Sequence, residues 1–377
     1  IHHQQISLSY YDEAYDETPW PTSKADPAFQ TSIRHAGTLV SPHRNNSALL
    51  LRIATAIDQK TPVVQALEQW REQGNQVKPS DLRCIIKKLQ DSERFPHALQ
   101  ISEWMSSHRV YTLFPEDMAS RVLLMDTVLG LKEAERFFET IPETMKDYTV
   151  YTSLLTLYTR NDDTLDKAEA VFEKMRELGF LLKPTPFNLM LSLYSPLKRH
   201  DNVNSLLSEM EDNNVKPDDL TANHALLVYA AVSNIKAMEK FLSSNQRIKL
   251  EWGTCIDMAK AYLKSGATEK SLAMLHRTEL LVDCASRKPA YEALMSVYGD
   301  VGEREDVYRI WELHKNAGSS NEGYRAVISA LSSIGDMEGA EVIYREWELG
   351  GLPFDASIPN TLISGYHALG MERRLRN

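Results

Sequence analysis

Apolar residues recur along this chain in two periods at once. The short period is that of an amphipathic helix. Tyr151, Leu154, Leu155 and Tyr158 fall at offsets 0, 3, 4 and 7, which is one helical face. After the polar break Asn161-Asp162-Asp163-Thr164, the residues Ala168, Val171, Phe172 and Met175 repeat those offsets on a second helix. Gly179 stands just past it, where helix C-termini favour glycine, and Pro184 precedes the next helix. The long period is about 35 residues. Leu89, Leu124, Tyr158, Tyr194, Tyr229, Tyr262, Tyr298, Leu331 and Tyr366 follow one another at gaps of 35, 34, 36, 35, 33, 36, 33 and 35. One helix pair per period predicts an all-α solenoid of about nine to ten helix-turn-helix repeats.

The second helix of other repeats carries a small residue four places before a large one: Ala66 and Trp70, Ala134 and Phe138, Ala237 and Phe241, Ala340 and Tyr344. The small residue lets two helices approach, and the large one fills the gap on the same face. One pair is too small to bury its own core, so neighbours must complete it. Residues 1–46 lack the repeat and read as an extended N-terminal arm; the array is expected over 47–377, with its first helix near Ala48 and its last repeat incomplete. An uncapped solenoid end implies that the chain continues past Asn377 or that a partner covers it. The start at Ile1 rather than Met leaves two readings, a removed leader or a chain that begins earlier, and is not evidence for a targeting peptide.

Charge then narrows the function. The net charge is −10. Nucleic-acid binders that coat phosphate are basic, so binding along the whole length is disfavoured, whereas a local basic stripe is not. Lys198, Arg199, Lys236, Lys240 and Lys264 are candidates for such a stripe. In the arm, Tyr10, Tyr11, Tyr15 and Trp20 stand among acids and prolines, a composition suited to docking on a partner. From Pro27 to Ile57 there is no acid, while Arg34, Arg44 and Arg52 are present, so this stretch could touch phosphate. Cys84, Cys255 and Cys284 are far apart, which argues against a zinc site or a disulfide framework. No apolar run is long enough to span a membrane.

Several motifs resemble the pentatricopeptide repeat family. Met175-x-x-x-Gly179 with Lys183-Pro184, and Met210 through Val215-Lys216-Pro217-Asp218, are similar to its linker. Phe187-Asn188-Leu189-Met190-Leu191 and Pro359-Asn360-Thr361-Leu362-Ile363 resemble its first-helix opening. The resemblance covers roughly residues 48–370. Ala98 through Met105, Gly130-Leu131 with Ala134-Glu135-Arg136-Phe137-Phe138, and Tyr308-Arg309-Ile310-Trp311 are similar to a plant P-class subgroup. The resemblance implies a right-handed superhelix and RNA binding in mitochondria, or alternatively plastids. In that family one repeat contacts one base through a first-helix polar residue and the last linker residue. Carried over, the first-helix positions are Thr152, Asn188, Asn223, Ile256, Glu292, Arg325 and Asn360, and the linker positions include Asp147, Lys183, Asp218 and Asp355.

Of these, Asn188 with Asp218 resembles a uracil reader, and Thr152, Asn223 and Asn360 are further base-facing candidates. Ile256 has no polar group to offer, Glu292 repels phosphate, and Arg325 could pair with Asp355 instead of a base. The His-x-Glu and Cys-x-x-Cys ligands of a deaminase-like domain are missing, as are a P-loop, Gly-x-Ser-x-Gly and His-Glu-x-x-His. The expectation is a non-enzymatic protein with no cofactor, metal, membrane or small-molecule substrate. The degraded code, the acidic charge and the subgroup resemblance favour an RNA-contacting structural subunit of the plant mitochondrial ribosome, among ribosomal proteins. The alternatives are a free, transcript-specific factor for organellar RNA processing or stability and, more weakly, a purely protein-binding scaffold.

Overall fold

The computed structural model describes residues 42–108, 111–197, 199–245 and 247–370. Among them nineteen α-helices follow one another, with two single-turn 3-10 segments and no strand. The array is all-α, as the two periods predict. The arm residues Tyr10, Tyr11, Tyr15 and Trp20, together with Arg34 and Lys198, lie outside the described residues.

Helix α1 spans Pro42–Asp58, so it begins ahead of the boundary expected near residue 46. Proline is favoured at the first position of a helix, because its ring presets φ and its missing N–H has no intrahelical partner to lose. Arg52 donates to Gln69 on α2 (Val63–Glu72) and to Gln73 at its C-terminal cap, and lies 5.9 Å from the Trp70 ring centroid. Its guanidinium is thus engaged within the first repeat.

The chain forms two compact units, residues 1–157 and 158–377. In the first, α3 (Pro79–Asp91) pairs with α4 (Phe95–Ser107), and α5 (Pro115–Leu129) with α6 (Leu131–Thr140). Helix α7 (Tyr148–Tyr158) runs to the boundary. Ile53, Leu67, Leu82, Ile85 and Ile101 fill the start of this core, and Val122, Ala134, Ile141 and Val150 its far end.

The second unit holds α8 (Leu165–Glu177), α9 (Pro184–Tyr194), α10 (His200–Asp212), α11 (Asp219–Ala231), α12 (Ile235–Ser244) and α13 (Trp252–Lys264). It continues with α14 (Thr268–Leu281), α15 (Arg287–Val301), α16 (Arg304–Asn316), α17 (Asn321–Ile334), α18 (Met337–Leu349) and α19 (Ser357–Ala368). The first helices α9, α11, α13, α15, α17 and α19 each pack on the next, forming a row. Each second helix leans against the row beside its own first helix.

All nine residues of the long period are buried, none more than 9% exposed. Tyrosine at such a position needs a partner for its hydroxyl. Tyr194 donates to Glu169 at 2.9 Å, Tyr229 to Asn204 at 3.2 Å and Tyr298 to Glu279 at 2.6 Å, while Tyr366 donates to Glu341. Every acceptor lies on the second helix of the preceding repeat, so each bond crosses a repeat junction. Ion pairs reinforce these junctions: Arg176 with Glu209, Lys270 with Glu239, Arg309 with Glu279 and Arg304 with Asp336. Glu169, Glu209, Glu239, Glu279, Glu341 and Asp336 are thus engaged at junctions.

The linker turn explains Gly179. It has φ +70°, and the next N–H, that of Phe180, reaches back to the Met175 carbonyl at 2.8 Å. Asn214 makes the same turn at φ +54°, with Val215 N–H on the Met210 carbonyl, because asparagine tolerates the left-handed region better than most residues. The small-residue rule for second helices holds at Ala66, Ala134, Ala168 and Ala340, which are buried. It differs at Ala237, which is only partly buried; its neighbour Met238 is fully buried instead, a long flexible side chain reaching the contact from the next register.

Candidate nucleic-acid interface

Six residues before each member of the long period stands a recurring first-helix position, and at Asn188 it meets the entry of the following repeat. The two best-matched residues are brought together there. Asn188 on α9 and Asp218, the N-cap of α11, are 30 residues apart, yet Asn188 Nδ2 lies 3.0 and 3.1 Å from the two Asp218 carboxylate oxygens. Thr221 joins them: its hydroxyl lies 2.6 Å from Asn188 Oδ1 and 2.8 Å from Asp218 Oδ1, and its N–H donates to Asp218 Oδ1 at 2.8 Å. The capping of α11 thereby fixes the carboxylate, and Asp218 itself is exposed. His224 lies one turn on. Burial pushes its pKa down against the opposing charge of Asp218, which favours a neutral ring beside the pair.

The other positions differ. Asn223 donates Nδ2 to the carbonyls of Asp219 at 2.7 Å and Lys249 at 3.1 Å, and accepts the Glu251 N–H at 2.9 Å. Both amide hydrogens and the oxygen are engaged with backbone, and the side chain is buried. Thr152 is buried and donates to the Tyr148 carbonyl of its own helix at 2.7 Å. Asp147 caps that helix through Thr149 and Val150 N–H. Ile256 is buried.

Glu292 accepts from Ser320 at 3.3 Å and meets His314 Nε2 at 3.2 Å. His314 is fully buried and stacked on Trp311, and its Nδ1 has no partner. The ring lies so close to α17 that a Cβ on Gly323 would collide with His314 Cε1. Sequence reasoning passed over His314, although the signal was present. It precedes Gly318 by four residues, as Met175 precedes Gly179, so a histidine occupies the buried methionine place of the linker.

Arg325 and Asn360 are exposed, and neither side chain makes a hydrogen bond or contact ion pair among the described residues. The expected Arg325–Asp355 pair is not a contact. Ser357 holds the Asp355 carboxyl below its ordinary range by hydrogen bonding, and the charge of Arg325 adds to that. The candidate basic residues fall on different elements. Lys236 and Lys240 are exposed on the second helix α12, and Lys264 ends the first helix α13. Arg199 pairs with Glu169 at 3.6 Å.

Among the described residues no group of three or more His, Cys, Asp or Glu side chains could hold a metal ion. No described helix is long and apolar enough to cross a membrane.

Comparison with known proteins matches a family model described as PPR repeat to residues 149–180, 185–215 and 323–352. A pentatricopeptide repeat-containing protein of Arabidopsis thaliana, named as mitochondrial, is 46% identical over 342 residues, covering 89% of this chain and 70% of the relative. A second from that plant is 50% identical over 328 residues; the match covers 86% of this chain but only 58% of that relative's length. The crystal structure of maize PPR10 aligns over 93% of this chain and 64% of PPR10, with 15% identity and a TM-score of 0.45. On the strength of the identity to relatives and of repeats in register with the family model, the chain belongs to the pentatricopeptide repeat family.

Proposed function

We propose that this protein is a non-catalytic binder of single-stranded RNA in organellar gene expression, acting as a transcript-specific factor. The observation that carries the reading is the Asn188–Asp218–Thr221 arrangement. Two residues far apart in sequence converge at a repeat entry and hold an exposed carboxylate rigidly, which suits hydrogen bonding to a base edge. Family membership supports the RNA, and the mitochondrial names of several relatives support a mitochondrial setting, with the plastid as alternative. The ribosomal-subunit reading leaned on acidity. Acids at repeat junctions such as Glu169, Glu209 and Glu279 already have partners within the chain, so their presence does not call for protein neighbours.

The test is sedimentation of organelle lysate on sucrose gradients, with and without magnesium chelation, combined with ultraviolet crosslinking to RNA. Crosslinked RNA from few transcripts, in a small nuclease-sensitive particle, is the expected result. Salt-resistant migration with one ribosomal subunit would favour the structural-subunit reading, and no crosslinked RNA would favour a protein scaffold.

A further inference from the structure

The row of first helices in the second unit is joined at successive repeats, and most junctions are bonded on two sides. Where α9 meets α11, Asn188 joins Asp218 and Thr221 on the linker side, and Tyr229 joins Asn204 on the second-helix side. Where α11 meets α13, Asn223 holds the Lys249 and Glu251 backbone, and Lys270 pairs with Glu239. Where α15 meets α17, Ser320 donates to Glu292, and Asp336 accepts from Arg304 and Tyr308. Where α17 meets α19, Asn321 donates to the Pro353 carbonyl, and Tyr366 donates to Glu341. The junction of α13 and α15 is different. On its second-helix side Tyr298 and Arg309 both donate to Glu279 of α14, the arginine through two nitrogens at 2.7 and 2.8 Å. On its linker side, among the described residues, no hydrogen bond or contact ion pair crosses from α13 to α15 or its entry. Positions that bond elsewhere are apolar here: Ile256 stands where Asn188, Asn223 and Glu292 stand, and Trp252 where Asp219 and Asn321 stand. Ser286 at the entry of α15 turns back to Asp283 at 2.7 Å. Lys260 attracts Asp300 between the two helices without a contact pair. Ile256 is buried in one cluster with Leu294 and Met295, and Trp252 and Tyr291 pack against it. The linker also lacks the left-handed turn of Gly179, Asn214, Gly318 and Gly351; α14 ends on Val282 in extended backbone.

We propose that this junction is a hinge. The repeats from α15 onward turn against α13 and α14 about the Glu279 pin, and the Ile256 side opens and closes. Charge-assisted bonds to one carboxylate are directional and fix an axis. Apolar contact is non-directional, so these side chains can slide over one another without stranding a polar group. At the neighbouring junctions the same motion would break a linker-side bond, at Asn223 on one side and at Glu292 on the other. A hinge takes up such motion in a few residues between rigid elements, and residues 282–286 between α14 and α15 are the segment that does so here. The consequence falls on the first-helix row. The span from α9 to α13 and the span from α15 to α19 keep their own geometry while the gap between them varies, so a ligand lying along the row sets the angle. The inference stands whatever that ligand is.

Nitroxide labels on the purified full chain, with distances read by pulsed electron resonance, test this. Cys84→Ser and Cys284→Ser remove the accessible thiols, and Cys255 is buried. Glu251→Cys with Arg287→Cys spans the junction on the linker side, and Arg277→Cys with Glu312→Cys spans it on the second-helix side. Arg287→Cys with Glu322→Cys spans the next junction on the linker side. All five positions are exposed, and thermal midpoints check that each labelled variant keeps its fold. The first pair should give a distance distribution roughly twice as wide as the third, or wider, with the second pair narrow. Narrow distributions for all three pairs would overturn the hinge. A second pair as broad as the first would overturn it too, because the junction would then be loose on both sides instead of turning about a pin.

Discussion

At the scale of single residues, hydrogen-bond partners matter more than residue type. Asn188 and Asn223 occupy the same place in successive repeats, but one faces a capping carboxylate and the other is tied to the linker backbone. Asn223→Ala should strand the Glu251 N–H and the Lys249 carbonyl and destabilise the fold by about 2–3 kcal/mol, measured by denaturant unfolding, with no change in RNA preference. His314 makes a second case. Gly323→Ala would drive the ring off α17 and away from Glu292, for a loss of about 1–3 kcal/mol. The double variant with His314→Ala should lose less than the sum of the two single changes, which a double-mutant cycle would measure.

The helices themselves were largely legible in the sequence. The offsets 0, 3, 4 and 7 placed α7 and α8, and the period placed all nine buried positions, because burial against a neighbour imposes a spacing on the chain. The junction bonds were not legible. Nothing in a single sequence says that Tyr298 will meet Glu279 rather than water, since that depends on how α14 leans on α15. For the same reason the pattern named Thr152 and Asn223 as candidates but could not say that their polar atoms face backbone.

The junction of α14, α15 and α16 also yields a pH dependence. Burial pushes the Glu279 carboxyl up, but hydrogen bonds from Arg309 and Tyr298 outweigh it and lower its pKa. Hydrogen bonds from Gly339 N–H, Tyr308 and Arg304 likewise lower that of Asp336 against burial. Groups with depressed folded pKa contribute stability that is present above their unfolded values, about 4, and lost as pH falls through the folded ones. Melting temperature should therefore stay level on these two groups' account from pH 7 to 5 and fall below about pH 4. Glu279→Gln should flatten part of that fall. Tyr298→Phe, which leaves the half-buried carboxylate with one donor fewer, should cost about 1 kcal/mol at neutral pH.

For the molecule as a whole, charge and recognition are laid on different helices. The acids engaged at repeat junctions lie on second helices or their caps, whereas the candidate base-facing side chains belong to the row of first helices and its linkers. With a net charge of −10, the chain can neutralise few phosphates. The slope of log affinity against log salt should be shallow, corresponding to about two or three released counterions. Fluorescence anisotropy across a salt series would check this, and a steep slope would mean that a basic surface lies elsewhere in the protein.

The Glu292–His314–Gly323 contact has a consequence for how this repeat can change over generations. A larger residue in place of the glycine collides with the ring. A neutral apolar residue in place of the glutamate strands a buried nitrogen, and replacing the histidine leaves the carboxylate with its serine alone. Each of the three single changes carries a penalty of its own, so a drift back toward an asparagine-type reader needs coordinated substitutions. The silent repeat is in that sense an evolutionary ratchet, held shut by packing rather than by selection on what it binds.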